Sequence, residues 1–134
     1  MNKAEIQAII DDCPYHRFLE MTVVSADGDK GEVVLKLPYK PEFSRSSEVP
    51  QVHGGITAAF IDIAGDYAVA ARLGRGVATI NLRIDYLRMA GETALTARAV
   101  AVKIGRSIGV VDIEVHDDDA RLVAVGRANY STAE

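Results

Sequence analysis

Apolar residues follow three rhythms along this chain, and each predicts a different element. From Lys3 to Asp12 they recur at helical spacing, with Ile6, Ile9 and Ile10 on one side, until Pro14 ends the helix. Phe18 to Ala26 reads as a strand, Asp27-Gly28-Asp29 as a hairpin turn, and Gly31 to Leu37 as the returning strand. In that return Val33, Leu35 and Leu37 alternate with Glu32, Val34 and Lys36. The polar stretch from Pro38 to Val52 holds Pro41, Arg45, Pro50 and three serines. A loop of this length inside a compact domain is more often functional than idle.

The second rhythm has no stripe. From Ile56 to Ala71 small and apolar residues fall on every face, which predicts a helix buried all round. The run is shorter than the roughly 20 residues a membrane span needs. It also carries Asp62 and Asp66, so it reads as a core helix that the rest of the chain wraps.

The third rhythm has period two. From Val77 onward Ala78, Ile80, Leu82, Ile84 and Tyr86 point one way, and Thr79, Asn81, Arg83 and Asp85 the other. After Gly91, Thr93 to Lys103 reads as a strand; after Ile104-Gly105, Arg106 to His116; after Asp117-Asp118-Asp119, Arg121 to Tyr130. One buried helix followed by consecutive antiparallel strands predicts an α+β fold, one curved antiparallel sheet wrapped around a long central helix.

Asp62 and Asp66 stand four residues apart and share one helix face. A buried carboxylate must be paired, hydrogen-bonded or neutralised, so residues kept at that cost are candidates for chemistry. The other reading is a face that reaches solvent or a subunit boundary. Gly65 between them lets another segment approach the backbone. At the helix start, Gly54 and Gly55 offer free N–H groups and a partial positive charge, suited to holding a carbonyl oxygen as it turns negative.

Composition narrows the class. The 134 residues suit one domain, 1–134, with a real core. Fifteen Lys+Arg against 19 Asp+Glu, a net charge of -4, gives no support to nucleic-acid binding. Cys13 is the only cysteine, so no internal disulfide is possible and a reducing, cytoplasmic setting fits. The N-terminus has no long apolar signal core. Neither a metal nor another cofactor is expected.

His53-Gly54-Gly55 with Asp62 nine positions after the histidine resembles the hotdog-fold acyl-CoA thioesterases, in the PaaI-like, phenylacetate-pathway branch near the 4-hydroxybenzoyl-CoA thioesterases. Asp85-Tyr86-Leu87-Arg88-Met89-Ala90 resembles that family's Tyr-Leu-Arg-Pro-Ala strand end, with Met89 for proline, and Lys103-Ile104-Gly105-Arg106 its basic glycine turn. The resemblance spans about Tyr15 to Tyr130. It implies a hydrolase of acyl-CoA, a homodimer or a homotetramer built as a dimer of dimers, with no membrane or nucleic-acid partner. By the family's pattern Asp62 is the catalytic carboxylate, as base or nucleophile, the Gly55 N–H polarises the thioester carbonyl, and His53 orients it. Thr79 matches a Ser/Thr that a neighbouring subunit offers to the reacting water or carboxylate, and the alternation puts it on the polar face.

Two positions depart from the pattern. Ser47 stands where the family often has Asn or Gln, and Asp66 where some relatives carry threonine, so a second carboxylate is expected to raise the pKa of Asp62. Arg88 and Arg106 are candidates for the CoA phosphates, which guanidinium binds in a bidentate way. Tyr15, Phe18, Phe43 and Tyr67 are candidates for an acyl pocket or for core. Two further classes stay open at this point, a hotdog hydratase or dehydratase and a non-catalytic acyl-CoA-binding domain.

Overall fold

A computed structural model describes residues 1–133. Helix α1 (Lys3–Asp12) starts at Asn2, whose side chain accepts from the Glu5 N–H while the Glu5 carboxylate accepts from the Asn2 N–H. Ile6 and Ile10 form its buried stripe. Pro14 does more than end α1. It opens a second helix, α2 (Pro14–Leu19), because its fixed φ suits a first helical position. Phe18 and Leu19, expected in a strand, therefore belong to α2. Glu20, with a left-handed φ of 57°, turns the chain towards β1 (Thr22–Asp27).

β1 pairs antiparallel with β2 (Glu32–Leu37), whose Val33, Leu35 and Leu37 point into the core as the alternation predicts. The loop that follows is pinned rather than free. A 3-10 turn at Pro41–Phe43 buries Phe43, Ser44 bridges Val52, and the His53 N–H donates to the Phe43 carbonyl at 2.7 Å. The loop thus delivers the chain to helix α3 (Gly54–Leu73), which ends on Gly74 at a left-handed φ of 74°. Phe60, Ile61, Ala64, Ala68, Val69 and Ala71 are buried, while the face that carries Ala59, Asp62 and Asp66 is only half-buried, so α3 is not covered all round as expected.

The remaining strands are β3 (Ala78–Tyr86), β4 (Leu95–Ile104), β5 (Ile108–Asp117) and β6 (Leu122–Ser131). The antiparallel sheet runs β1-β2-β4-β5-β6-β3 and curves around α3, which is the hotdog architecture. β3 does not neighbour β4, as simple succession along the chain suggests. It pairs with β6 and forms the far edge of the sheet.

The facing of β3 also differs from a strict alternation. The register shifts between Thr79 and Asn81, with Thr79 opposite the buried Tyr130 and Asn81 opposite Asn129. Ile80 is the extra residue of a β-bulge, and it reverses the facing of everything before it. Thr79 therefore points at α3, while Asn81, Arg83 and Asp85 keep the outer face. Among the described residues no helix is long and apolar enough to cross a membrane.

Candidate active site

Asp62 lies two turns into α3, half-buried, and both its side chain and its backbone are held. Thr79 Oγ1 donates to Asp62 Oδ1 at 2.8 Å. Tyr130 on β6 donates to the Asp62 carbonyl at 2.8 Å, and its hydroxyl oxygen lies 3.4 Å from Oδ1. Thr79 belongs to the same chain as the carboxylate it touches, so the expected placement of the two residues in different subunits is corrected. The bulge at Ile80 is the cause.

Gly65 makes the Tyr130 contact possible. A Cβ built there would stand 2.2 Å from the Tyr130 hydroxyl oxygen. Tyr130 is fully buried and has nowhere to retreat. Gly65→Ala is therefore expected to cost about 1–3 kcal/mol, the range for overpacking a core, and to lower turnover by pushing Tyr130 off Asp62. A thermal melt with kcat measured on the same sample checks this. A variant unchanged in both would mean that α3 and β6 separate without penalty.

A cavity of about 290 Å³ opens beside this carboxylate, lined by Tyr15, His16, Ala59, Asp62, Ile63, Asp66 and Tyr67. The Tyr67 hydroxyl lies 3.1 Å from His16 Nδ1. The carboxyl pushed upward here is Asp66, to about 7, by burial and then by the charge of Asp62. Burial pulls His16 below its ordinary value. Burial, then the charges of Asp66 and Cys13, push Tyr67 well above its own. Of the four aromatic candidates, Tyr15 and Tyr67 line this cavity. Phe43 is core, and Phe18 is half-exposed, stacked on Tyr15 at 6.5 Å.

The start of α3 forms a second feature. His53 is the N-cap, and its Nδ1 accepts from the Gly55 N–H at 2.8 Å. The donor expected to hold a carbonyl oxygen is thus engaged by its own cap. Tyr86 donates to the Gly54 carbonyl at 2.6 Å, fastening the end of β3 to the helix start. A cavity of about 620 Å³ lies here against Arg45, Gly54, Gly55, Tyr86, Leu87 and Arg88.

The structure separates several candidates. Gly55 and Asp62 are seven residues apart on one helix, about 10 Å at 1.5 Å per residue. Arg88 lines the cavity at the helix start, while Arg106 lies at the other end of α3 with Leu73, Arg75 and Thr132. Ser47 is exposed in the loop and lines neither cavity. Among the described residues no group of three or more His, Cys, Asp or Glu side chains is placed to hold a metal ion. Sequence reasoning missed His16, Arg45, Tyr86 and Tyr130 as neighbours of these features. Gly65, which lets another segment approach the backbone, is the one signal that pointed towards Tyr130.

The Thioesterase superfamily profile matches residues 51–124. A Halobacterium salinarum protein that carries an esterase name is 37% identical, over 95% of this chain and 89% of its own. The Escherichia coli K12 medium/long-chain acyl-CoA thioesterase YigI is 25% identical, over 87% of this chain and 84% of its own. Among solved structures, a thioesterase-superfamily protein superposes with a TM-score of 0.91 at 34% identity, covering 96% of both chains. The Escherichia coli PaaI protein from the phenylacetic acid degradation operon shares the fold, with a TM-score of 0.84 at 24% identity over 94% of this chain and 88% of its own.

Proposed function

Because this chain belongs to the thioesterase superfamily, we propose that it hydrolyses an acyl-CoA thioester to the free acid and CoA. The observation that carries this reading is the Asp62 carboxylate, held at 2.8 Å by the Thr79 hydroxyl beside a cavity of about 290 Å³. That hydrogen bond occupies one carboxylate oxygen and leaves the other to act. As a base, Asp62 takes a proton from water while the water oxygen bonds to the thioester carbon. As a nucleophile, it bonds to that carbon itself, and water cleaves the resulting anhydride. In both routes the carbonyl electron pair moves to oxygen and returns as the C–S bond breaks. The CoA thiolate leaves and takes up a proton.

The oxyanion needs a donor within about 3 Å. Gly55 of the same chain stands about 10 Å along the helix from Asp62 and cannot serve the same carbonyl. The reading therefore takes the N–H from the Gly55 of a second copy. β3 supplies the means, since it is a nine-residue edge strand with Ile80 and Tyr86 more than half exposed. Such an edge invites pairing with another chain. Thr79 touches Asp62 near one end of β3, and Tyr86 touches Gly54 at the other. Antiparallel pairing of two copies about Leu82 and Arg83 sets Thr79 of one opposite Tyr86 of the other. The carboxylate of one copy then faces the helix start of its neighbour, in a homodimer or a dimer of dimers.

In this arrangement His53 keeps the Gly55 N–H occupied until the thioester carbonyl takes it over, and the displaced ring orients the thioester. Gly54, without a side chain, leaves room for the pantetheine arm. Arg88 and Arg45 face the CoA phosphates from the larger cavity, with Arg106 reaching them from the other copy. The acyl group enters the smaller cavity along Asp66.

The name of the Escherichia coli relative makes medium- and long-chain acyl-CoAs the first to offer, with aryl thioesters beside them because Tyr15 and Tyr67 line the cavity. Thiol release from such a panel tests the reading, and at least one member is expected to turn over. Binding without thiol release from any member would replace it with an acyl-CoA-binding domain. Loss of an enoyl-CoA without thiol would replace it with a hydratase.

A further inference from the structure

Asp66 has no step in the hydrolysis just described, yet it is the second carboxylate of α3 to line the 290 Å³ cavity. Its surroundings hold no counter-charge. On α3 the cavity carries Asp62 one turn earlier and Tyr67 beside it; on α2 it carries Tyr15 and His16. Tyr130 on β6 and Thr79 on β3 approach through Asp62, and Cys13 lies close to Tyr67. Burial keeps His16 neutral at pH 7 and holds Tyr67 and Tyr130 in their phenol forms. Among the described residues no lysine, arginine or histidine forms an ion pair with Asp66. Among the described residues no side chain donates a hydrogen bond to the Asp66 carboxyl, and the Tyr67 hydroxyl is engaged with His16, so water in the open cavity is what solvates an ionised Asp66. An acyl group that fills the cavity removes that water, and a carboxylate stripped of both water and counter-charge takes a proton instead.

On the acyl-CoA reading above, we propose that acyl binding is proton-linked through Asp66: the cavity closes over an uncharged acyl group only while this side chain is a neutral carboxylic acid. The proton comes from solvent and stays on Asp66 while the acyl group is bound, so no bond of the thioester is touched. Asp66 is a specificity-determining residue here, distinct from the carboxylate that reacts.

The sign follows from the free protein. Asp66 titrates near pH 7, raised by burial and by the charge of Asp62. Below that pH it already carries its proton, and binding is insensitive to pH. Above it each unit of pH costs about tenfold in affinity, because one proton must be taken up.

The test uses octyl-CoA, a thioether without a scissile bond, against CoA itself, with Kd measured from pH 6.5 to 8.5. Taking the ratio of the two cancels the titration of groups that touch only the CoA moiety. For the native protein the ratio of octyl-CoA Kd to CoA Kd is expected to rise about 25-fold across this range. Asp66→Asn, a near-isosteric neutral stand-in, is expected to flatten it. Asp62→Asn removes the charge that raises Asp66 and is expected to move the onset of the rise to lower pH, which a merely structural role would not do. Thermal melts establish that both variants are folded, and Asp62→Asn carries the test alone if Asp66→Asn is not. A flat native ratio overturns the proposal, as does an Asp62→Asn onset at the native pH. So does octyl-CoA binding no tighter than CoA at pH 6.5. Proton-linked binding in a protein that releases no thiol upholds the proposal and removes only the hydrolytic reading.

Discussion

Asp62→Asn is expected to fold like the native chain and to lose roughly 10²- to 10⁴-fold in kcat, the usual worth of a positioned general base. The substitution is a clean probe because its neighbours need not move. The amide oxygen of asparagine still accepts from Thr79 Oγ1, now 2.8 Å from Asp62 Oδ1. The Tyr130 hydrogen bond goes to the backbone carbonyl of residue 62, which the change leaves alone. Packing against Gly65 is likewise preserved. What disappears is the ability to take a proton from water or to attack a carbonyl carbon near pH 7. Steady-state kinetics with the best substrate of the thiol-release panel, alongside a melt, checks the result. Retention of more than about a tenth of native kcat in a folded variant would remove Asp62 from the chemistry.

The central helix was legible because extensive burial leaves a mark on composition. Phe60, Ile61, Ala64, Ala68 and Val69 spread over about half of the helix circumference at 3.6 residues per turn, a wider apolar face than a surface helix shows, and the sheet wraps it. The two aspartates stood out against that background, and the structure puts both on one cavity. Other features depend on information spread over long separations. Pro14 read as a stop because it follows a helix, yet the same residue starts α2, and Phe18 and Leu19 suit either element. The edge position of β3 is decided by its pairing with β6, from Tyr86 opposite Ala124 to Ala78 opposite Ser131, far along the chain.

Thr79 is the most instructive error. The stretch from Ala78 to Tyr86 alternates apolar and polar without a flaw, and on a regular strand Thr79 faces outward with Asn81. The bulge at Ile80 reverses it, leaves that isoleucine half-exposed and aims a hydroxyl at Asp62. A polar residue is needed at that inward position only because a carboxylate lies opposite, so the alternation cannot reveal the break. His53 has a similar history. The family's pattern assigns it to orienting the thioester, and its ring also caps the helix by accepting from the Gly55 N–H, a contact that the residue order alone does not show. His16 falls between the elements that the periodicity predicts, so its position beside Tyr67 has no periodic signal.

The corrected position of Thr79 changes which inactive variants should rescue one another. Gly55→Pro removes the N–H assigned to the oxyanion and is expected to lower kcat by about 10²- to 10³-fold, since that is the cost of one such donor. Proline is accommodated in a first helical turn, although any Cβ at this position meets His53 Nδ1 at 3.0 Å and the ring must shift slightly. Mixed in equal amounts with Asp62→Asn and refolded, half of the dimers contain one chain of each kind. In each mixed dimer one site joins the intact Gly55 of the Asp62→Asn chain to the intact Asp62 of the Gly55→Pro chain, and the other site lacks both. About a quarter of all sites should regain activity, by the symmetry of a two-fold interface. The pair Asp62→Asn and Thr79→Ala is the control. Thr79 and Asp62 touch within one chain, so no mixed dimer of that pair holds a site with both intact. Activity should then stay at the average of the two variants refolded alone. Rescue in the control without rescue in the Gly55 pair, in samples shown to contain mixed dimers, would mean that the carboxylate and its hydroxyl partner come from different chains after all. It would also return the oxyanion donor to the carboxylate's own subunit.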